Sequence, residues 1–115
     1  MTSNKNLTFN DYQRGAATTA LYPGRGDKEG IAYTALGLAG EAGEIANKCK
    51  KILRGDYPAH NIREDVAAEL GDVLWYVAML ADEFGVDMGE LAQANLDKLA
   101  DRAQRNQIKG SGDNR

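Results

Sequence analysis

A chain of 115 residues, 43% of them hydrophobic and with charge of both signs, has room for one core and one site, and its length predicts a single domain. The net charge of -3 gives no general attraction to nucleic acid polymers or anionic membranes, so any phosphate binding must be local. No apolar run approaches the roughly 20 residues of a bilayer span, the start MTSNKN lacks a signal-peptide apolar segment, and one cysteine with one histidine excludes an internal disulfide and a zinc-ligand set; the expected setting is cytoplasmic, and a bound metal would have oxygen ligands.

In chain order, Thr8 is a helix-start signal for a first helix over 9–21. Pro23 and Pro58, the only prolines, punctuate loops and leave a second helix over 28–54, closed by Gly55. Asn61 with Glu64 resembles a capping box for a third helix over 62–84, and Asp87 with Glu90 another for a fourth over 88–106. Short connections favour antiparallel neighbours, so the fold class is all-α, a four-helix bundle-like subunit. Gly37, Gly40 and Gly43 weaken the second helix unless another backbone or a ligand approaches there. The closing "IKGSGDNR" reads, on composition alone, as a flexible tail.

The third helix poses a chemical question. On a helical wheel Ile62, Val66, Val73, Val77, Leu80 and Phe84 define its apolar face. Glu69 lies only about 50° from the centre of that face and Asp72 at its edge, with Tyr76 between them in angle. The second helix carries its own pair, Glu41 and Glu44, in a stripe with Lys48. Four carboxylates meeting across a helix hairpin repel one another unless a cation neutralises them. All-oxygen ligation favours Mg²⁺, with Mn²⁺ able to substitute.

On the fourth helix Asn95, Lys98 and Arg102 share a stripe beside the apolar line of Met88, Leu91, Ala92 and Leu99. They form a ready clamp for phosphate and sugar. No G-x-G-x-x-G or Walker pattern is present, and Glu-x-x-His motifs of a di-iron bundle are missing. Trp75 lies away from the acidic stripe and is expected in a core or subunit interface.

"GLAGEAGEIANKCKK" followed by "EDVAAELGDVLWYVAMLADEFG" resembles the E-x-x-E, Lys, E-x-x-D pattern of the MazG-like all-α nucleoside triphosphate pyrophosphohydrolases. The resemblance covers nearly the whole chain, including "NLDKLADRAQR" and the closing "IKGSGDNR", and points to a small single-domain branch of that family. It implies that Glu41, Glu44, Glu69 and Asp72 ligate Mg²⁺, that Lys48 contacts phosphate, and that Asn95, Lys98 and Arg102 are nucleotide contacts, with Arg115 a further phosphate contact. It also implies hydrolysis of a nucleoside triphosphate to monophosphate and pyrophosphate, with Glu44 or Glu41 taking the proton of the attacking water.

In family members the first helix and its following loop face the hairpin, so Gln13 would read a base edge and Phe9, Tyr12 or Tyr33 would stack on it. The small residues Ala16, Ala17, Thr18, Thr19 and Ala20 suggest room for a purine, hence a lean to dGTP, with dCTP and dUTP open. Apolar helices in so short a chain suggest a homodimer or homotetramer. The competing class is a non-catalytic oligomeric helical module that binds nucleotide or a partner, and metal dependence discriminates the two.

Overall fold

The computed structural model of the protein describes residues 6–57 and 61–105. Four helices follow in order: α1 (Phe9–Ala17), α2 (Lys28–Arg54), α3 (Ile62–Glu83) and α4 (Met88–Gln104). No strand is present among the described residues, and none of the helices is long and apolar enough to cross a membrane.

α1 begins with a true capping box. The Thr8 hydroxyl accepts from Asp11 N at 3.0 Å, and the Asp11 carboxylate accepts from Thr8 N at 3.2 Å. The helix stops at Ala17, not at the expected 21. There the Thr18 and Thr19 hydroxyls donate to Gly15 O and Ala16 O, and Ala20 N bonds three residues back to Ala17 O. Consecutive β-branched threonines with hydroxyls turned onto the preceding carbonyls favour this tightened exit.

The capping boxes expected at Asn61 and Asp87 do not form, since neither side chain caps its helix. The start of α4 is instead closed from α1. Gln13 Oε1 accepts from Met88 N at 2.9 Å and Asn10 Oδ1 accepts from Gly89 N at 2.8 Å. Two orphan amides of one helix are thereby satisfied by side chains of another. Gln13 is itself buried, and its Nε2 donates to Ala78 O and Val86 O at 3.2 and 3.0 Å.

α2 and α3 form a long hairpin, α1 lies on α3, and α4 packs on α1 and α3 without touching α2. The core is small and sits where α1 meets the C-terminal half of α3 and the start of α4, around Ala16, Ala20, Tyr22, Ala78, Met79 and Met88. The carboxylate-bearing half of the hairpin thus extends beyond the core. Its position is fixed by the loop after α1: Glu83, near the end of α3, accepts from the Tyr22 hydroxyl and from Gly26 N. Gly30 permits this contact, because a Cβ there would fall 2.5 Å from Gly24 O and 2.8 Å from Glu83 Oε2.

Candidate metal and nucleotide site

The hairpin turns the two acidic stripes toward each other. Glu41 of α2 and Glu69 and Asp72 of α3 offer carboxylate oxygens that all lie within 4.8 Å of one another. Glu69 Oε1 faces Lys48 Nζ at 3.5 Å, both side chains being about four-fifths buried. Glu69 Oε2 is buried without a hydrogen-bond partner. An orphaned carboxylate oxygen of this kind is costly, so the position calls for a cation or a donor from outside the chain.

Crowding acts on Glu41. The neighbouring Glu69 carboxylate, which would accept a hydrogen bond from Glu41 in its protonated form, then burial, then repulsion by Glu69, Asp72 and Glu44 push Glu41 up to about 6. Three oxygen donors, one orphaned, fit a hard divalent ion such as Mg²⁺ or Mn²⁺. Glu44 stands apart. It is exposed and outside the three-carboxylate cluster, although its charge is felt at Glu41.

An aromatic wall adjoins the carboxylates. Gly37, one turn before Glu41, lies against the Tyr76 ring, so that a Cβ there would fall 2.1 Å from Tyr76 Cε1. Of the three glycines expected to admit a neighbour, only Gly37 does so among the described residues; Gly40 and Gly43 meet none of them within 4 Å. Tyr76 meets Trp75 edge-on with ring centres 5.0 Å apart, Trp75 meets Tyr22 edge-on at 6.2 Å, and Tyr22 stacks on Tyr33 at 5.3 Å. Burial first, then Tyr33 and the charges of Glu41 and Asp72, hold the Tyr76 hydroxyl above the usual tyrosine range.

The residues expected to read the base divide on inspection. Tyr12 is half-buried, and its hydroxyl is raised by burial and then by the charge of Asp72. Tyr33 is 41% exposed on the aromatic wall, and Phe9 is half-exposed in a shallow apolar hollow with Leu7, Tyr12 and Leu74. Gln13 is a correction: all three of its hydrogen bonds go to backbone groups at the α3–α4 corner, leaving no free edge for a base. The room inferred at residues 16–20 is filled in part: Ala16 and Ala20 are core and Thr19 Oγ1 accepts from Trp75 Nε1 at 3.0 Å, while Thr18 and Thr19 remain exposed.

Asn95 and Lys98 are exposed on α4, while Arg102 is buried in its last turn. Because α4 does not touch α2, these residues stand apart from the Glu41 side of the cluster. Arg115 lies outside the described residues. Sequence reasoning did not assign a site role to Tyr22 and Tyr76. The signal for Tyr76 was its angular position between Glu69 and Asp72; nothing local marked Tyr22, whose place depends on the loop clamp at Glu83.

The description of the MazG nucleotide pyrophosphohydrolase domain matches residues 30–106. The chain belongs to the MazG family. The matched span takes in α2, α3 and α4, and therefore every carboxylate of the cluster, whereas α1 with Tyr12 and Asn10 lies outside it. The chain is also similar to the Gene 37 protein of Mycobacterium phage L5, 54% identical over 110 residues that cover 90% of this chain and 96% of that one. No solved structure matches it. MazG membership supports nucleotide pyrophosphohydrolysis as the general activity, and the acidic cluster suits the divalent-metal dependence of such enzymes.

Proposed function

We propose that this protein hydrolyses nucleoside triphosphates, deoxynucleotides among them, to monophosphate and pyrophosphate with Mg²⁺, and so controls or cleanses a cytoplasmic nucleotide pool. The observation that carries the reading is the cluster of Glu41, Glu69 and Asp72 with the buried, unpartnered Glu69 Oε2 beside Lys48. Glu41, Glu69 and Asp72 would hold the ion, joined by Glu44 if its exposed side chain swings inward. A bound Mg²⁺ supplies Lewis-acid activation of water and neutralises phosphate charge.

The protein groups do the rest. Lys48 keeps a positive charge at the Glu69 end of the cluster, where it can pass from the carboxylate to a phosphate oxygen. Glu44, exposed and free of the cluster, is suited to take the proton of the attacking water, with Glu41 the other candidate. Tyr33 and Tyr12 flank the space where a base would lie, and Tyr76 closes it on the α3 side. Asn95, Lys98, Arg102 and Arg115 are proposed sugar and phosphate contacts. The lean to dGTP loses part of its ground, since Ala16 and Ala20 are packed in the core while Thr18 and Thr19 are exposed, and base choice falls to the aromatic wall.

Leu36, Leu53, Leu70 and Leu96 are each more than half exposed, which supports assembly into a homodimer or homotetramer that covers them. The experiment that tests the reading is product analysis after incubation with each common NTP and dNTP, with Mg²⁺ and with chelator. Monophosphate plus pyrophosphate, lost in chelator and in Glu69→Gln, is the expected result. Mg²⁺-independent nucleotide binding without turnover would establish the non-catalytic module instead.

A further inference from the structure

Burial along α2 marks the seam it turns toward α3. Thr34, Gly37, Glu41, Ile45, Lys48 and Lys51 are buried or half-buried at spacings of three and four, while most residues between them are exposed. Gly37 lies against Tyr76, Glu41 joins the carboxylate cluster and Lys48 faces Glu69. The Lys51 ammonium, by contrast, takes part in no ion pair or hydrogen bond among the described residues.

Two ordinary explanations for a lysine at this place fail. The α3 carboxylate that opposes this end of the seam, Asp65, accepts from the Tyr57 hydroxyl. That bond, followed by burial and by the charges of Asp65 and Glu69, pushes the Tyr57 hydroxyl up to about 12. Nor does Lys51 serve to cap α2, because its last carbonyls are closed by backbone: Gly55 N donates to Ile52 O at 3.0 Å and Asp56 N to Lys51 O at 2.9 Å, with Gly55 at φ 77°. Lys51 is therefore a half-buried residue whose ammonium has no partner among the described residues, about one helical turn beyond the charge pair of the metal site.

Along the hairpin the chemistry of these side chains also changes from one end to the other. Tyr33, Gly37 and Tyr76 lie at one end, the carboxylates in the middle, and Lys48 and Lys51 at the other. A nucleoside triphosphate has the same order of parts, with a flat base, then the reacting anhydride, then the most highly charged phosphate. Only one orientation matches like to like.

Resting on the activity proposed above, we propose that Lys51 anchors the terminal phosphate of the bound triphosphate and holds the pyrophosphate after cleavage, so that the nucleotide lies along the hairpin with its base toward Tyr76. The contact is a charge-assisted one between an ammonium and phosphate oxygens. It grips the leaving group and leaves the nucleoside monophosphate untouched.

The test compares wild type, Lys51→Ala and Lys51→Arg in steady-state hydrolysis of the dNTPs, in inhibition by pyrophosphate and by nucleoside monophosphate, and in calorimetric binding of inorganic tripolyphosphate with Mg²⁺. Lys51→Ala should raise KM and weaken both pyrophosphate inhibition and tripolyphosphate binding by about tenfold. Monophosphate inhibition and the melting temperature should stay unchanged, and Lys51→Arg should recover most of the loss. Unchanged KM, pyrophosphate inhibition and tripolyphosphate binding in Lys51→Ala overturn the anchor, as does an equal loss of monophosphate affinity, which would mark a general disturbance of the site. If wild type hydrolyses no nucleotide, the activity fails by itself, and tripolyphosphate binding still decides Lys51: equal binding by wild type and variant, or none by either, rules the anchor out.

Discussion

Glu69→Gln keeps the shape of the side chain and removes one charge from the cluster, so its effects with and without metal should differ in kind. In chelator the variant loses a largely buried ion pair with Lys48, which costs up to about 3 kcal/mol, and gains relief from the repulsion that Glu69 exerts on Glu41. The two oppose each other, and the melting temperature should fall by no more than about 12 °C. With Mg²⁺ at about a hundred times its dissociation constant, the wild-type fold gains about 2.7 kcal/mol by mass action. For 115 residues, an unfolding entropy of about 2.1 cal/mol/K per residue turns that gain into a rise of about 11 °C. The variant should show little of it. The assay is a thermal melt at fixed protein concentration, with Mg²⁺ and with chelator. An equal Mg²⁺-induced rise in wild type and variant, or none in wild type, would refute a metal site built on Glu69.

Three further predictions follow from geometry away from that side chain. Gly37→Ala drives a Cβ against the Tyr76 ring, 2.1 Å from Cε1, and should cost about 1–3 kcal/mol in thermal or denaturant unfolding; Gly40→Ala, which meets nothing within 4 Å, should gain up to about 1 kcal/mol, and a loss there would show that another copy approaches α2. Gln13→Leu strands Met88 N, Ala78 O and Val86 O and should cost about 3 kcal/mol, whereas a base-reading Gln13 would alter nucleotide preference at unchanged stability. Without metal, Glu41 is raised from 4.5 to about 6 in the fold, so its contribution to stability is full below pH 4.5 and is lost as the pH rises through 6. With Mg²⁺ the sign reverses, since protons compete with the ion, and the Mg²⁺-induced rise in melting temperature should shrink as the pH falls through 6.

Helix existence was legible in the sequence because proline, glycine and hydrophobic period act locally. α2 appears with the expected ends, and α3 and α4 differ only at their last residues. The acidic cluster was legible for a related reason: a carboxylate on an apolar helix face is an anomaly that requires a partner, and Glu69 showed it before any contact was known. The exit of α1 was not. Residues 18–21, two of them β-branched threonines, were redirected by hydroxyl bonds at Thr18 and Thr19, a competition between near-equal local options that a wheel does not register.

What the sequence determined by itself is therefore the periodic content of the chain: four helices, two acidic stripes on consecutive helices, and the chemistry those stripes demand. Only the tertiary structure decided which members of each stripe meet. It brought Glu41 to Glu69 and Asp72 while leaving Glu44 outside, turned Gln13 from a candidate base reader into the cap of α4, and set Tyr76 against Gly37. The physical reason is that a helical period fixes the angle of a side chain about its own axis, whereas distances between side chains of different helices depend on register and crossing, which the packing of the small core and the Glu83 clamp on the loop after α1 establish.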